Sequence, residues 1–344
     1  MKDTQVASFT GLVDLASKAL GGRALGVSDD FFAGAENLLE PARPVFIPDK
    51  FTERGKWMDG WESRRKRTPG HDWCVLALGA SGTVVGLDID TAHFSGNHPA
   101  FASVEGVYAP PGLSLQELQS LAWVELLSQA PLRPDSQNLF GVASSAAVNY
   151  IRLNIFPDGG VARLRVFGRV LPDFHQAEPH DAETAARVDP ALVDLVAVKH
   201  GGLALACSDA HFGPMNNLLL PGRAVNMGSG WETRRTRQPN RDWILLKLAA
   251  RGVPQVVEVD TNHFRGNFPD RCSIEGIDAV GLRITDLIQS SAWSMLLPET
   301  KLRAHARHFF QAELLGRAAC SHLRLNIFPD GGISRLRVWG SLVP

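Results

Sequence analysis

The sequence predicts an all-β protein built from two tandem, duplicated β-sandwiches, and three observations support this fold class. Long segments occur twice, in the same order, within the 344 residues. Short apolar runs alternate with polar residues, which is the period of strands with one buried face. Glycine- and proline-rich turns separate these runs, as is typical of antiparallel sandwiches. The repeated segments are RLNIFPDGG (152–160 and 324–332), G-W-E-x-R-R-x-R (60–67 and 230–237) and D-T-x-H-F-x-G-N (90–97 and 260–267).

The duplication defines two units joined by a polar, proline-bounded connection. Each unit is long enough to bury a core of its own. The segment SDDFFAGAENLL at 28–39 matches SDAHFGPMNNLL at 208–219, which lies 180 residues later, whereas G-W-E-x-R-R-x-R and D-T-x-H-F-x-G-N each recur after 170 residues. The first unit therefore carries about ten additional residues, which we expect in a surface loop within 44–60. The predicted organisation is a first unit at 9–172, a linker at 173–190 and a second unit at 191–344.

Alternating patterns around glycine-rich turns predict two pairs of strands in the first unit. Residues 151–156 and 161–168 flank PDGG and are expected to form an antiparallel hairpin. Residues 73–78 and 83–90 flank GASG and are expected to form a second pair. The apolar spacing in 113–127 suits a short helix instead.

Charge and composition disfavour several classes of protein. Lys plus Arg total 35 and Asp plus Glu total 36, a net charge of -1, so no global field favours nucleic acid or an anionic membrane. No apolar run reaches the ~18 residues of a membrane-spanning helix. The four cysteines are scattered without metal-type pairing, which favours a reduced, cytoplasmic protein. We therefore expect a small-molecule substrate, with no nucleic-acid partner and no membrane partner.

The D-T-x-H-F-x-G-N motif concentrates polar side chains at the end of a predicted strand. A carboxylate, an imidazole, an amide and a nearby second carboxylate suit general acid–base work on a small polar substrate. Two alternatives stay open: Asp90, His93 and His98 offer ligands to a divalent ion such as Mn²⁺, or these groups only cap and brace the loop. The predicted catalytic residues are Asp90, His93 and Glu105, with Asp260 and His263 of the second copy, and the predicted substrate-binding residues are Asn97, His98 and Asn267.

The G-W-E-x-R-R-x-R motif supplies a second polar set. An arginine fork binds both oxygens of a carboxylate, so these arginines suit an anionic substrate. The alternative is a Glu–Arg ion pair that braces a loop. A nucleic-acid patch is disfavoured, because the basic run follows Trp-Glu in both copies and the rest of the chain is not basic. The predicted substrate-binding residues of this motif are Glu62, Arg64, Arg65, Arg234 and Arg235.

Other polar and aromatic residues are assigned to the scaffold. Trp73 and Trp123 are expected to pack rather than to stack on a ligand. Arg163 and Arg165 alternate with apolar residues, so we expect them on the outer side of a sheet, exposed or at an interface. Asn154 belongs to the predicted hairpin.

These motifs resemble the allantoicase family. The resemblance rests on MDGWESRRKR, HDW, LDIDTAHFSGNHP, VEG and RLNIFPDGG with RLRVFG, and it covers almost all of both copies. It implies two jelly-roll, galactose-binding-like sandwiches and a homo-oligomer. No cofactor is expected to be required, and the divalent-ion alternative stays open. The resemblance also implies a hydrolase of linear amidines that converts allantoate to (S)-ureidoglycolate and urea in allantoin degradation.

If the resemblance holds, the chemical groups of allantoate suggest a role for each candidate side chain. The substrate has one carboxylate and two ureido arms on a single carbon, so a site must bind both and move protons. The implied roles are carboxylate binding by Arg64 or Arg65, ureido binding by Asn97 and Glu62, and acid–base work by His93 with Asp90 orienting it.

The two copies differ near these motifs. His98 corresponds to Phe268, and His71 corresponds to Arg241. Because a phenyl ring carries neither a proton nor a metal, we expect the first copy to hold the main site, or the copies to share one site. The competing class is a non-catalytic pair of small-ligand or carbohydrate-binding domains, since similar sandwiches bind sugars without chemistry.

Overall fold

The computed structural model describes residues 9–174, 181–236 and 241–343. The chain divides into two compact units, Met1–Leu171 and Pro172–Pro344. Each is a two-layer jelly-roll β-sandwich, which confirms the predicted all-β, duplicated fold. Within the described ranges, no helix combines the length and the apolar character needed to cross a membrane.

The first unit consists of strands, one α-helix and two short 3₁₀-helices (Lys18–Leu20 and Ala35–Leu39). Its helix is α1 (Leu115–Ser120). Its strands in the described residues are β1 (Val13–Asp14), β2 (Arg23–Val27), β3 (Phe51–Thr52), β4 (Gly55–Lys56), β5 (Trp61–Glu62), β6 (Asp72–Asp90), β7 (Phe101–Val107), β8 (Val124–Pro131), β9 (Gln137–Gly141), β10 (Ala147–Phe156), β11 (Gly160–Val161) and β12 (Arg163–Val170).

Strand β6 is shared by both layers of the first unit. Its first half joins sheet I, in the order β2-β6-β10-β7-β8, and its second half joins sheet II, in the order β1-β12-β6-β9. All of these pairs are antiparallel. Apolar side chains from both sheets, among them Leu76, Leu153, Leu87 and Leu164, form the core between the layers. Both ends of β6 therefore reach the same edge of the sandwich, where Asp72 and Asp90 both bond to the segment that follows β10.

The second unit repeats this arrangement. Sheet I has the order β14-β16-β20-β17-β18 and sheet II the order β13-β22-β16-β19. The short 3₁₀-helices are Val198–His200, Met215–Leu219 and Met227–Ser229. The other elements in the described residues are α2 (Ala182–Ala185), β13 (Val193–Asp194), β14 (Leu203–Cys207), β15 (Trp231–Glu232), β16 (Asp242–Asp260), β17 (Arg271–Ile277), α3 (Ile284–Gln289), β18 (Ser294–Lys301), β19 (Arg307–Phe310), β20 (Cys320–Phe328), β21 (Gly332–Ile333) and β22 (Arg335–Leu342).

Both predicted hairpins are wrong. The segments 73–78 and 83–90 belong to one continuous strand, because GASG is extended where β6 passes from one sheet to the other. A Cβ on Gly79 would lie 2.6 Å from Leu20 and one on Gly82 would lie 2.3 Å from a backbone oxygen of Arg169, so glycine serves close approach here rather than a turn. Strand β10 pairs mainly with residues 72–77 of β6 and β12 with residues 82–90, so the two strands form an arch between the sheets.

Other local predictions have mixed outcomes. Within 113–127, only Leu115–Ser120 is helical, and the strand β8 follows. The additional loop of the first unit is confirmed, since it contains the exposed hairpin of β3 and β4. Arg163 lies on the outer side of sheet II as predicted but is only 3% exposed, because Asp59 in the additional loop pairs with it at 2.8 Å.

The domain boundaries stay predictions, although the predicted linker has structure in its described part. In residues 181–190, α2 packs on the second unit. Arg307 of β19 donates hydrogen bonds to Asp181 at 2.8 Å and to Thr184 at 2.6 Å. Val188 is buried.

Candidate active site

A hydrogen bond joins the G-W-E-x-R-R-x-R and D-T-x-H-F-x-G-N motifs. Glu62 ends β5, and Asn97 lies in the loop after β6. The amide Nδ2 of Asn97 donates to Oε1 of Glu62 at 2.6 Å. The second unit repeats the bond, with Asn267 donating to Glu232. Burial raises the pKa of the Glu62 carboxyl above its ordinary value, although the bond from Asn97 opposes the shift.

A buried phenyl ring explains the glycines that precede Trp61 and end the PDGG turn. Phe94 is fully buried between Gly60 and Gly160. A Cβ on Gly160 would lie 2.0 Å from ring carbons of Phe94. The amide of Gly160 also donates to the carbonyl of Asn97 at 2.8 Å, so the PDGG turn supports the loop that carries Asn97. The same contacts recur around Phe264 in the second unit.

His93 adopts a left-handed backbone conformation, with φ 69°. Its amide donates to Oδ1 of Asp135 at 2.7 Å, and its Nε2 contacts the carbonyl oxygen of Pro44 at 3.3 Å. Because a carbonyl only accepts, Nε2 carries the hydrogen and the neutral ring has its lone pair on Nδ1. The ring of Phe46, from the additional loop, stacks on this imidazole.

The second unit holds His263 in the same way. Its φ is also 69°, and its Nε2 contacts the carbonyl of Ala224 at 2.9 Å. Nδ1 of His305 replaces the carboxylate of Asp135 as acceptor of the backbone amide, at 2.8 Å. A strained backbone that recurs at the same residue type in both copies is a pointer to function.

Asp90 braces the loop rather than the imidazole. Its Oδ1 accepts from the amide of Ala92 at 2.8 Å, and no hydrogen bond joins it to His93 in the described structure. Burial raises the pKa of Asp90. In the second unit, Asp260 is fully buried and accepts from Arg223 at 3.1 and 3.3 Å.

The two arginines of the first unit have different partners. Arg64 donates from Nε to Asp29 at 2.7 Å and from its amide to the same carboxylate at 2.8 Å. Arg65 is exposed and makes no hydrogen bond or ion pair with a described residue. Arg234 pairs with Asp209 in the same way, and Arg235 is exposed like Arg65. The partner of Glu62 is therefore an amide and not an arginine.

Glu105 does not join this cluster. It lies on the outer face of sheet I, where Arg152 donates to it at 2.8 Å and Asn154 at 3.0 Å. The hydrogen bond from Arg152 lowers the pKa of Glu105. Sequence spacing places Glu105 close to the loop of His93 along the chain, but the pleat turns its side chain to a different cleft.

The donors of the alternative metal site do not converge. His93 directs Nε2 to the carbonyl of Pro44, and Asp90 gives Oδ1 to a backbone amide. Nδ1 of His98 is buried without a hydrogen-bond partner. Within 9–174, 181–236 and 241–343, no three His, Cys, Asp or Glu side chains are grouped to hold a metal ion.

Three residues that position the site escaped the sequence reasoning. Asp29 holds Arg64, Asp135 holds the backbone of His93, and Pro44 holds its ring. Asp29 had a detectable signal, since SD at 28–29 recurs at 208–209. The other two carry no such signal, because His305 and Ala224 replace them in the second copy.

Known proteins are similar to this chain over nearly its whole length. The family model described as allantoicase repeat matches residues 13–171 and 193–343. A probable allantoicase 1 from Burkholderia mallei is 46% identical over 344 residues, which is 99% of this chain and 98% of the relative. A probable allantoicase from Acinetobacter baylyi is 45% identical and covers 98% and 96%. The crystal structure of allantoicase from Saccharomyces cerevisiae matches with a TM-score of 0.79 at 36% identity, covering 95% of this chain and 92% of that one.

Proposed function

Because this chain belongs to the allantoicase family, we propose that it hydrolyses allantoate to ureidoglycolate and urea at the site formed by the two repeated motifs. The observation that best supports this location is the hydrogen bond between Asn97 and Glu62, which recurs between Asn267 and Glu232. It brings an acidic group, an amide and the arginine run together at one edge of each sandwich.

Arg65 is the proposed ligand of the substrate carboxylate. Arg64 is already held by Asp29, whereas the guanidinium of Arg65 has all its donors available to an incoming anion. A planar fork binds both carboxylate oxygens at once. Arg235 has the equivalent position in the second unit.

Asn97 and Glu62 are proposed to contact the ureido arms. Asn97 uses Nδ2 to hold Oε1 of Glu62, and no described hydrogen bond reaches Oε2 of that carboxyl. The amide oxygen of Asn97 accepts N–H groups of the substrate, and the free oxygen of Glu62 reaches a ureido nitrogen. The pre-formed bond fixes the direction of the carboxyl before the substrate binds.

Hydrolysis requires one proton to leave the attacking water and one to reach the departing urea. The water oxygen forms a bond to the central carbon, one C–N bond breaks, and the new hydroxyl keeps the other water proton. His93 accepts the proton at Nδ1, which has the free lone pair in the neutral ring. Glu62 delivers a proton to the leaving nitrogen, since the raised pKa of its carboxyl keeps a protonated fraction at higher pH.

A divalent ion such as Mn²⁺ has no step in this scheme, because Asp90, His93 and His98 do not present their donors to a common point. The homo-oligomer and the cytoplasmic location expected from the sequence belong to the same proposal.

The direct test is release of urea from allantoate by the purified protein. We expect turnover that persists after exhaustive chelation. The double variant Glu62→Gln, Glu232→Gln keeps an acceptor for both asparagines but cannot donate a proton. We expect its kcat to fall by about 100-fold or more, as for loss of a general acid. Thermal melting of the variant serves as the folding control.

Two results would contradict the proposal in different ways. Absence of urea across pH and added metals would favour the non-catalytic binding class. Full activity of the folded double variant would move the chemistry away from Glu62 and Glu232.

A further inference from the structure

The outer face of sheet I carries a second polar cluster that is present in both units. In the first unit, Arg152 donates from Nε to Glu105 at 2.8 Å, and Asn154 donates to Glu105 at 3.0 Å and to Ser103 at 3.1 Å. In the second unit, Arg324 bonds Glu275 at 2.8 Å, and Asn326 bonds Glu275 at 3.0 Å and Ser273 at 3.2 Å.

This outer-face cluster is rigidly held. Its four polar residues stand on the central strands β7 and β10, or β17 and β20. The guanidinium of Arg152 lies 4.8 Å from the ring centre of Trp123, and Arg324 lies 4.8 Å from that of Trp293. Such stacking fixes the plane of an arginine fork. Side chains on strands are better pre-organised for a ligand than side chains on loops.

The two copies differ in what surrounds the cluster. In the first unit a cleft of about 540 Å³ opens beside it, and its walls include His71, Trp73, Gln119 and Glu125. In the second unit the cleft is about 180 Å³. Met295 of the second unit takes the place of Glu125, since the first pairs with Glu275 and the second with Glu105. Ile288 takes the place of Gln119, since each follows the buried leucine of its helix. The first copy therefore has an open, polar wall where the second has an apolar one.

Hydrogen-bonding capacity is left over inside the cluster. In the described structure the terminal nitrogens of Arg152 donate no hydrogen bond, and Oε1 of Glu105 accepts none. In the second unit, Arg324 uses a terminal nitrogen on Glu275 at 3.0 Å. Asn326 is 1% exposed, yet its Oδ1 is buried without a partner. A purely structural ion pair needs neither a cleft nor spare donors and acceptors on the same side.

We propose that the outer-face cleft of the first unit is a binding site for a small carboxylate that carries a planar N–H-bearing group. The fork of Arg152 receives the carboxylate, Oε1 of Glu105 accepts from the N–H groups, and the ring of Trp73 covers the planar face. A ureido-carboxylate combines all three features, and the choice of the ureido group rests on the proposed function. This site is separate from the Glu62–Asn97 pair.

The test is calorimetric titration with N-carbamoylglycine, a stable ureido-carboxylate, into the full-length protein. We expect Arg152→Lys to weaken one binding event by tenfold or more, because a point charge replaces the stacked fork. Gln119→Trp fills the cleft from the exposed face of α1 without touching the ion pair, and it should have the same effect if Arg152→Lys perturbs folding. Arg324→Lys is the matched control and should leave the affinity unchanged.

Arg65→Lys distinguishes the cleft from the proposed active site at Glu62 and Asn97. This variant should leave the Arg152-dependent binding intact. Wild-type affinity in both Arg152→Lys and Gln119→Trp would overturn the cleft site, as would absence of any binding to the wild type. Urea release measured on the same preparation separates the two proposals. Turnover without Arg152-dependent binding would contradict only the cleft proposal. Arg152-dependent binding without turnover would contradict only the proposed enzyme function.

Discussion

Asp88 and Glu258 stand at the same position of β6 and β16 but have different partners. Glu258 accepts from Nε of Arg307 at 2.5 Å, and both side chains are buried. The side-chain partner of Asp88 is the neutral amide of Gln137, which donates to Oδ2 at 2.7 Å, and Oδ1 of Asp88 is buried. Burial, together with the charge of Asp90, raises the pKa of Asp88 to about 6.

This raised pKa makes the first unit less stable as the pH rises through about 6. Between the unfolded value of 3.8 and the folded value of about 6, the folded state binds the additional proton, so stability falls with increasing pH in that window. Asp88→Asn removes the penalty. We expect it to stabilise the first unit by about 1–3 kcal/mol at pH 8 and to change little at pH 4.

Urea denaturation at both pH values measures this effect. The matched variant is Glu258→Gln, which removes the charged partner of Arg307 on β16 while Asp181 still pairs with that arginine at 2.8 Å. It should destabilise the second unit by about 1–3 kcal/mol, the cost of losing a buried hydrogen-bond partner. A destabilised Asp88→Asn protein at pH 8 would show that the carboxylate is needed in its charged form.

A glycine-rich segment can either form a turn or allow close packing of an extended strand, and the surrounding structure decides which. The PDGG and GASG segments look alike in sequence, but the first closes an arch between sheets and the second is extended within β6. Gly160 makes room for the ring of Phe94, so its replacement tests the packing directly.

We expect Gly160→Ala to destabilise the first unit by about 1–3 kcal/mol, the usual cost of overpacking a buried ring. Its melting temperature should fall by several degrees, at about 2–4 °C per kcal/mol for a domain of this size. Gly96→Ala, in the neighbouring loop after β6, adds a Cβ with nothing within 4 Å and should leave the melting temperature unchanged. Equal melting of the two variants would show that the Phe94 ring moves aside without cost.

Alternation and duplication predicted the strands and the all-β fold, because each depends on local burial. They did not predict which strands pair, since β10 and β12 each pair with β6 rather than with each other. At the candidate site, the sequence singled out Glu62 and Asn97, and the structure joins them by a hydrogen bond, while their roles stay predictions. Glu105 was assigned to the wrong cluster, because distance along the chain does not reveal which side of a sheet a residue faces.

At the scale of the whole chain, the duplication has left two units that share a framework and differ around the histidine. In the first unit, the additional loop sets Phe46 against His93. In the second unit Asn226 corresponds to Phe46 and Phe268 corresponds to His98. Arg223 donates a hydrogen bond to Asp260. The backbone conformation of the histidine is the same in both units, so under the proposed mechanism any difference in activity comes from the surroundings.

These differences lead us to expect that the first unit carries most of the turnover. Removal of the imidazole by His93→Ala should lower kcat for allantoate by about 100-fold, the usual contribution of an acid–base group. His263→Ala removes the same side chain from the same left-handed backbone position, so any strain relief is matched between the variants. We expect this second variant to retain nearly all of the activity. A loss of about half in each variant would mean that both units turn over substrate. Loss in His263→Ala alone would assign the chemistry to the second unit.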